Sequence, residues 1–429
     1  MKVVFIVPEY YVSLRNNSDA WEFQARKRLW SCPSLSLLTV AGMMPESSEI
    51  EYYDLNYSDK HGLNADWVFF SPATAQASMA YQLADMYRKT GAKVAMGGPH
   101  VSVLPEEALK HSDAVFIGEA EITIRWFLED VINNTVKRIY SAHNFPDLAK
   151  TPFPLYHLAK KYQYKSVPVQ TSRGCPRQCC FCISSKIYGS GVRCKAISQL
   201  SYELNKIKEI YGKPYLFFTD DNLFINKNRN KDFLETVKET GASWYAFSDA
   251  SVADDLNLLF EIAGAGCTQL LIGFESLCAE NLRGLNANNW KMKRLDFYKE
   301  AISRIQSFGI GVVGSFILGM DNDNASVFEN LYKFVEETLL YATNITVLTP
   351  FPGTELYKQY ESEGRLISKD WSMYNGFDLT FQPKNMTCNE FYNGYAELNT
   401  RLNSTDRMNK LINHFKSLIE VKYKRLNML

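Results

Sequence analysis

Two regions of the chain repeat one pattern, in which a short apolar run is followed by a stretch with helical periodicity. In the first region the apolar runs predict β-strands at 2–7, 50–54, 67–71, 93–96 and 114–117. Helices are predicted between them, most clearly at 34–44 and 77–90. Strands that alternate with helices in this way pair in parallel. The pattern therefore predicts an α/β fold that begins with a Rossmann-like, doubly wound parallel sheet.

The same alternation resumes after residue 165. Strands are predicted at 166–171, 214–219, 243–249, 269–274, 311–318 and 344–348, with helices such as 199–211, 230–240, 256–264 and 325–337. Six such repeats predict a partial (β/α)6 barrel, whose functional groups lie at the carboxyl ends of its strands. Beyond about residue 353 the chain becomes aromatic and then helical, with helices predicted at 391–401 and 406–424.

These patterns divide the chain into four parts. We predict a Rossmann-like domain at 1–135, a proline-containing linker at 136–165, the barrel at 166–355 and a C-terminal helical and aromatic cap at 356–429. The aromatic residues of the cap either cover a pocket or form a core of their own. They include Trp371, Tyr374, Phe377 and Phe381.

Composition and charge narrow the possible functions. The chain has 429 residues, with 47 Lys plus Arg against 47 Asp plus Glu, so no net field attracts a nucleic acid or an anionic membrane. No apolar run is long enough to span a bilayer, and the N-terminal run ends at Pro8, too early for a signal peptide. The sequence thus predicts a folded cytoplasmic protein with no membrane span and no nucleic-acid partner.

Cysteine spacing introduces metal chemistry. Cys175, Cys179 and Cys182 follow the first predicted barrel strand with C-x3-C-x2-C spacing. Three thiolates on one loop can hold three irons of a [4Fe–4S] cluster and leave the fourth iron open. A four-cysteine zinc site would need a second pair at matching distance. Zinc and a chance grouping of thiols are the alternatives, and Cys180 receives no role.

This loop, TSRGCPRQCCFC, resembles the motif of the radical S-adenosylmethionine superfamily, which has three cysteines at this spacing and an aromatic residue before the last. The resemblance implies that the three cysteines bind a [4Fe–4S] cluster, that the open iron binds S-adenosylmethionine, and that Phe181 lies near its adenine. Three further segments, FTDDN, GFES and GSFILG, resemble S-adenosylmethionine-binding segments of the superfamily. The resemblance of these segments implies that seven residues lie at the S-adenosylmethionine site: Thr219, Asp220, Asp221, Asn222, Glu275, Ser276 and Ser315. The Asp-Asp-Asn run is also typical of a turn and helix cap.

The N-terminal region resembles the cobalamin-binding domain of one subgroup of that superfamily. The similarity lies in SPAT after the third strand, MGGPHVSVLPEEAL after the fourth and GEAE after the fifth, and it implies that cobalamin lies across the strand ends. The residues it assigns to cobalamin are Ser71, Thr74, Gly97 and Gly98. The alternative is a domain that binds no cobalamin and shapes the substrate pocket, with the two glycines serving only a turn.

One departure from cobalamin-binding sequences concerns the cobalt ligand. Some cobalamin enzymes carry Asp-x-His-x-x-Gly, whereas this chain has Asp59-Lys60-His61-Gly62 with Asn64 where the last glycine belongs. His61 is therefore not predicted to bind cobalt. For His100 the alternatives are a contact to the tail or ring amides of cobalamin and an ordinary structural histidine, of which the second is favoured.

The resemblance implies an enzyme that generates a 5′-deoxyadenosyl radical and, with cobalamin, methylates an unactivated carbon of a small molecule or peptide. It also implies an electron donor such as flavodoxin or ferredoxin. Cyclisation, rearrangement or oxidation, with or without cobalamin, is the alternative chemistry. A non-enzymatic sensor or carrier is disfavoured because carriers normally use four protein ligands. Methylthiotransferase-like enzymes carry three further cysteines in their N-terminal domain. Such an enzyme is disfavoured here because only Cys32 precedes Cys175. No residue is identified as a catalytic acid or base.

Overall fold

A computed structural model describes residues 1–10, 32–58 and 61–427. The N-terminal sheet has six parallel strands in the order β2-β1-β3-β4-β5-β6. Its strands are β1 (Lys2–Val7), β2 (Glu49–Asp54), β3 (Trp67–Phe70), β4 (Lys93–Met96), β5 (Ala114–Ile117) and β6 (Ile139–Ser141). Its helices are α1 (Leu35–Ala41), α2 (Ala77–Lys89), α3 (Pro99–Val103), α4 (Pro105–Ala108) and α5 (Ala120–Asn133).

The strand order of this sheet reverses between β1 and β3. The chain first moves outward from β1 to β2 and then returns to the other side of β1 for β3. At such a reversal, the loops that follow the two neighbouring strands lead to opposite faces of the sheet. Their separation opens a crevice beyond the carboxyl ends of the two strands. The predicted doubly wound sheet is confirmed, with a crevice beside Val7 and Phe70.

The second sheet is also parallel and six-stranded, in the order β14-β13-β12-β11-β10-β7. Its strands are β7 (Val167–Val169), β10 (Tyr215–Phe218), β11 (Ser243–Ser248), β12 (Cys267–Glu275), β13 (Gly311–Leu318) and β14 (Ala342–Val347). Each strand lies beside the next of the series, as in a partial barrel. A separate antiparallel pair consists of β8 (Ser172–Arg173) and β9 (Arg193–Cys194).

Helices cover one face of the barrel strands and leave the other partly accessible. Leu216 and Phe218 are buried against that cover, where Phe218 meets the rings of Phe233 and Trp244. Phe217 and Tyr245 point to the opposite, half-exposed face. The helices of this part are α6 (Ser184–Tyr188), α7 (Ile197–Tyr211), α8 (Asn230–Thr240), α9 (Leu256–Gly264), α10 (Ala279–Leu282), α11 (Tyr298–Ser307) and α12 (Ser326–Thr338).

Two stretches differ from the sequence-based expectation. The stretch 136–165, expected to be a linker, supplies β6, which pairs with β5 and buries Tyr140 against Phe116. The strand expected at 166–171 ends at Val169, because the backbone N–H of Thr171 donates to the Asp220 carboxylate instead of to a neighbouring strand. The fourfold division of the chain stays a prediction.

The C-terminal part contains α13 (Glu355–Ser362), α14 (Cys388–Leu402) and α15 (Thr405–Asn427). The positions of its aromatic residues favour a role in the core over a role in covering a pocket. Tyr374 and Phe381 are fully buried, and Phe377 packs against Tyr10 and Ala75 of the N-terminal part. Among the described helices, none combines the length and the apolar character that a bilayer crossing requires.

Candidate functional site

The three motif cysteines lie on a loop between β8 and α6, just beyond the carboxyl end of β7. The loop is tightly folded at its base, where Gly174 has a φ of +97° and a Cβ atom would lie 2.3 Å from the carbonyl oxygen of Gly191. Glycine is therefore required at this position. The backbone N–H of Cys180 donates to the carbonyl oxygen of Leu285 at 2.9 Å, which fastens the loop to the barrel.

The donor set of this loop fits an iron–sulfur cluster. All three thiols are free and partly buried, and burial raises the pKa of Cys175, Cys182 and Cys179, the last to about 12. Within the described ranges, no three His, Cys, Asp or Glu side chains converge on a point that would hold a single ion. A cubane cluster binds each thiolate through a different iron and needs no such convergence.

Two cations that the sequence did not single out lie beside this loop. Arg177 donates from Nε and Nη2 to Oδ2 of Asp249 at 2.9 and 2.7 Å, and its guanidinium lies 3.6 Å from the centre of the Trp290 ring. Although burial opposes it, Arg177 holds the pKa of Asp249 below its usual value. Lys291 is the second cation: burial tends to lower its pKa, but Glu275 and Cys179 raise it above the usual value.

In the segment after β10, some polar side chains bind other protein groups and others line a cavity. Asp220 is fully buried and accepts hydrogen bonds from the Thr171 N–H at 3.0 Å, the Thr171 hydroxyl at 2.7 Å and the Ser172 hydroxyl at 2.5 Å. Asn222 donates to Asp249 at 2.7 Å. Thr219 and Asp221, by contrast, line a cavity. Thr219 and Asp221 therefore reach the cavity, although Asp221 also accepts from the Ser184 side chain and the Gly174 N–H, whereas Asp220 is committed to Thr171 and Ser172 at the base of the cysteine loop.

The predicted residues of β12 and β13 lie at the same end of the barrel. Glu275 adopts a φ of +66° at a bulge between β12 and β13, and Lys291 donates to its carboxylate at 2.9 Å. A positive φ is uncommon for a residue with a side chain and is enriched at functional sites. Ser276 is buried and accepts from the N–H of Cys278 at 3.1 Å, whereas Ser315 lies on the half-exposed face and accepts from Asn344 at 3.2 Å. Phe181 packs at the edge of the main core.

A cavity of about 420 Å³ occupies the crevice of the N-terminal sheet and reaches the barrel. Small side chains and large apolar ones, such as Phe69, Phe70 and Phe116, line the sheet side, and barrel residues close the opposite wall. The lining includes Ser34, Ser36, Ser71, Ala73, Gly97, Gly98, Gly118, Glu119, Arg173, Thr219 and Asp221. Cavities of this size hold cofactors or parts of them, and glycines and serines keep a crevice open to a bulky ligand.

Three of the four residues predicted to contact cobalamin line this cavity. A Cβ at Gly98 would lie 2.5 Å from Oγ of Ser71 and one at Gly97 would lie 3.3 Å from Cβ of Phe116, so a larger residue at either position would press on a neighbouring residue of the cavity wall. Gly98 also has a φ of +89°. Thr74 is the exception, because Ala73 and Gln76 line the cavity and Thr74 does not.

The two histidines considered in the sequence lie outside the cavity lining. Nδ1 of His61 is 2.6 Å from the Tyr87 hydroxyl. His100 is buried with Nε2 3.6 Å from Glu107, and its ring contacts that of Trp371 edge to face. Asp59 and Lys60, which precede His61, lie outside the described residues.

The fold and the site define an α/β protein that presents three cluster ligands at the end of a partial barrel and a cofactor-sized crevice beside them. Residues 169–335 match the model of the radical SAM superfamily, and residues 26–127 match that of the B12 binding domain. The chain thus combines a radical S-adenosylmethionine domain with a B12 binding domain that precedes it. Its cofactors are a [4Fe–4S] cluster, S-adenosylmethionine and cobalamin.

Individual relatives agree with this assignment. The bacteriochlorophyllide d C-8(2)-methyltransferase of Chlorobaculum tepidum is 29% identical over 364 residues, covering 81% of this chain and 80% of the relative. The cobalamin-dependent S-adenosylmethionine radical enzyme OxsB, solved with aqua-cobalamin and S-adenosylmethionine, has the same fold at a TM-score of 0.67 and 14% identity, covering 98% of this chain and 72% of OxsB. The radical S-adenosylmethionine methyltransferase TsrM of Kitasatospora setae aligns with a TM-score of 0.66 at 12% identity, covering 94% of this chain and 89% of TsrM.

Proposed function

We propose that the protein is a cobalamin-dependent radical S-adenosylmethionine methyltransferase that methylates an unactivated carbon of a small molecule. The observation that carries the proposal is the shared cavity. Gly97 and Gly98 of the N-terminal sheet lie on one side of it, and Thr219 and Asp221 lie on the other, next to the cysteine loop. On this proposal the cobalamin crevice reaches the edge of the S-adenosylmethionine site at Thr219 and Asp221, while Glu275 and Ser276 line a separate pocket of about 200 Å³.

Each group of residues has a distinct task in this proposal. When bound, the cluster and S-adenosylmethionine supply radical chemistry, and cobalamin supplies a carrier for the methyl group. Cys175, Cys179 and Cys182 bind the cluster, and Phe181 lies beside the adenine. The S-adenosylmethionine contacts are proposed for Thr219, Asp221, Glu275, Ser276 and Ser315, with Asn222 acting through Asp249. Ser71, Gly97 and Gly98 keep the crevice open for cobalamin.

Lys291 orients Glu275 in the proposed cofactor site. Its ammonium group donates to the Glu275 carboxylate and, at 2.5 Å, to the carbonyl oxygen of Gly273. Both side chains of the pair are largely shielded from solvent. Because the ammonium group is also bound to the Gly273 carbonyl, it holds the Glu275 carboxylate in a single position over Gly273, beside the bulge of β12.

The half-exposed face of the barrel strands indicates the kind of substrate. The rings of Phe217 and Tyr245 stack in parallel with centroids 4.4 Å apart, and Phe247 meets Phe217 edge to face at 5.1 Å. Across the sheet the same face carries the neutral side chains of Ser315 and Asn344. An aromatic wall opposite uncharged polar groups suits an uncharged molecule that contains a ring, which favours a small molecule over a charged peptide.

Two further parts of the proposal concern the cellular setting. Reduction of the cluster requires an electron donor such as flavodoxin or ferredoxin. Nine free cysteines, three of them proposed to bind iron, suit a reducing compartment such as the cytoplasm. Titration of the purified protein with reduced flavodoxin, against chemical reduction as a control, tests the first point.

Anaerobic purification from cells supplied with iron, sulfide and cobalamin tests the main proposal. We expect about four iron and one cobalt per chain, conversion of S-adenosylmethionine to 5′-deoxyadenosine, and transfer of a deuterated methyl group to an uncharged ring-bearing acceptor. Iron without cobalt would overturn the cobalamin assignment. A product that gains no methyl group would indicate cyclisation, rearrangement or oxidation. A loaded protein that never consumes S-adenosylmethionine would indicate a sensor or carrier.

A further inference from the structure

Four charged side chains are linked by ion pairs between the N-terminal sheet and the cysteine loop. Arg173 donates from Nη1 to Glu119 at 2.5 Å and from Nη2 to Glu121 at 2.6 Å. Arg193 donates from Nη2 to the other oxygen of Glu119 at 2.5 Å. Glu119 therefore accepts from two arginines and Arg173 bridges two glutamates. We call Glu119, Glu121, Arg173 and Arg193 the junction cluster.

The junction cluster is buried and its geometry is well defined. The side chains of Glu119, Glu121, Arg173 and Arg193 are 2%, 9%, 11% and 22% exposed. The remaining donor of Arg173, Nε, donates to Oε1 of Gln170 at 2.7 Å. All three nitrogens of this guanidinium are thus used, in the planar arrangement that arginine provides and lysine does not. Two positive and two negative charges balance one another within the set.

The positions of these residues link the two cofactor sites. Glu119 and Glu121 follow β5 and belong to the segment that matches the B12 binding domain. Arg173 ends β8, two residues before Cys175, and Arg193 lies opposite it in β9. Glu119, Glu121 and Arg173 also line the cavity. The same side chains therefore form part of the cobalamin cavity wall and support the hairpin from which the cysteine loop extends.

We propose that Glu119 and Arg173 are positioning residues, which fix the separation and orientation of cobalamin relative to the iron–sulfur cluster. The inference rests on the proposed function for the presence of both cofactors. A buried charge that loses its partner is strongly unfavourable, so the structure moves or admits water until that charge is solvated. The hairpin of β8 and β9 has only two residues per strand. We therefore expect this short hairpin to move. Because Arg173 lies two residues before Cys175, movement of the hairpin also displaces Cys175.

The first test measures geometry without turnover. We would load the whole protein with both cofactors and record how strongly the reduced cluster enhances the spin relaxation of cob(II)alamin, which depends steeply on their separation. Wild type is expected to give one uniform enhancement, and Glu119→Gln a weaker and heterogeneous one. Glu336→Gln is the matched control, because it removes an ion pair to Arg407 that lies between α12 and α15 and outside the cavity lining. Unchanged enhancement in a fully loaded Glu119→Gln protein would overturn the inference.

A second variant keeps the inference testable if Glu119→Gln folds poorly. Glu121→Gln removes one partner of Arg173 and leaves Glu119 between the two arginines, so we expect a smaller change in the same direction. Arg173→Lys keeps the positive charge but loses the planar, two-pronged guanidinium that bridges the two glutamates. We therefore expect this variant to give a heterogeneous relaxation enhancement, like Glu119→Gln. If Glu119→Gln does not load, a Glu121→Gln protein with wild-type relaxation would overturn the inference.

Turnover separates positioning from a purely structural role. We expect Glu121→Gln to cleave S-adenosylmethionine at a rate close to wild type while methylated product falls by up to about 100-fold, the loss expected from a misplacement of about 1 Å. Parallel loss of both activities, with stability lowered and relaxation unaltered, would indicate a structural role and overturn the inference. Wild-type protein that binds no cobalamin would instead refute the proposed function, so the two failures are distinguishable.

Discussion

Arg177 holds Asp249 through two hydrogen bonds, and this contact attaches the cysteine loop to the end of the third strand in the barrel series. Asp249 also accepts from the N–H of Ser251 at 2.9 Å and from Asn222 at 2.7 Å. Trp290 covers the guanidinium from the side. The loop that presents the cluster ligands is therefore fixed by a buried charge pair as well as by its cysteines.

We predict that Arg177→Gln destabilises the protein by about 3 kcal/mol and lowers the amount of cluster it retains. The reason is that Asp249 would keep its charge in a buried position with only neutral partners. Arg294→Gln is a matched control, since Arg294 also makes a two-fold contact to an aspartate, Asp254, but at the surface. We expect that control to cost no more than about 1 kcal/mol. Urea unfolding and iron analysis measure both effects, and equal losses in the two variants would contradict the prediction.

Within the cysteine loop, we predict that Cys175→Ala, Cys179→Ala and Cys182→Ala each abolish the visible absorbance of the reconstituted cluster. Each change removes a ligand that the remaining residues of the loop do not replace. Cys180→Ala is the control, because its thiol is free and partly buried like the others but is not assigned to the cluster. Retention of about four iron per chain in Cys180→Ala, with loss in the other three, is the expected result. Loss of iron in Cys180→Ala would show that the ligand set is wrong.

At the crevice, we predict that Gly98→Ala weakens cobalamin binding by at least about tenfold, which is about 1.4 kcal/mol. The new Cβ would push against Ser71 in the cavity wall. Gly91→Ala is the control for backbone strain, since Gly91 has a φ of +92° but no neighbouring atom within 4 Å of a Cβ. Absorbance titration with cobalamin compares the two variants. Equal affinities would mean that cobalamin does not approach this wall.

Asp323 provides a prediction for pH dependence. Burial raises its pKa to about 6, although the N–H groups of Gly319 and Met320 and the side chain of Asn281 all donate to its carboxylate. The folded protein therefore binds this proton more tightly than the unfolded chain does. The stability contributed by protonated Asp323 is complete below about pH 4 and is lost as the pH rises through about 6, by up to about 3 kcal/mol. Urea unfolding at several pH values should show a smaller decline across this interval in Asp323→Asn, and identical declines would refute the assignment.

The amino-acid pattern was sufficient for most of the fold. The runs at 2–7, 93–96, 114–117 and 311–318 correspond residue for residue to strands in the structure, because each apolar run is bounded by residues that favour turns. Strand β6 was missed because it has three residues, of which only Tyr140 is buried. So short a segment leaves no alternation to detect.

The cofactor-binding residues were less predictable than the strands. The cysteines could be located because their spacing lies within one loop. Glu119 and Arg173 are 54 positions apart, so only the folded chain brings them together. Asp220 has the residue type and position expected of a cofactor contact, yet its carboxylate is occupied by Thr171 and Ser172. A sequence motif identifies where a carboxylate is located and does not reveal which neighbours already bind it.

The shared cavity also limits how the chain can be divided. Its wall is assembled from residues near the start of the chain, such as Val7, and from residues as distant as Asp221. A fragment that ends before residue 168 keeps the crevice of the first sheet but loses the opposite wall and the hairpin arginines, leaving Glu119 and Glu121 without the arginines they contact here. The two modules are therefore expected to be inherited and exchanged as one unit, and a chimera that swaps either module alone must also carry the matching side of the junction cluster.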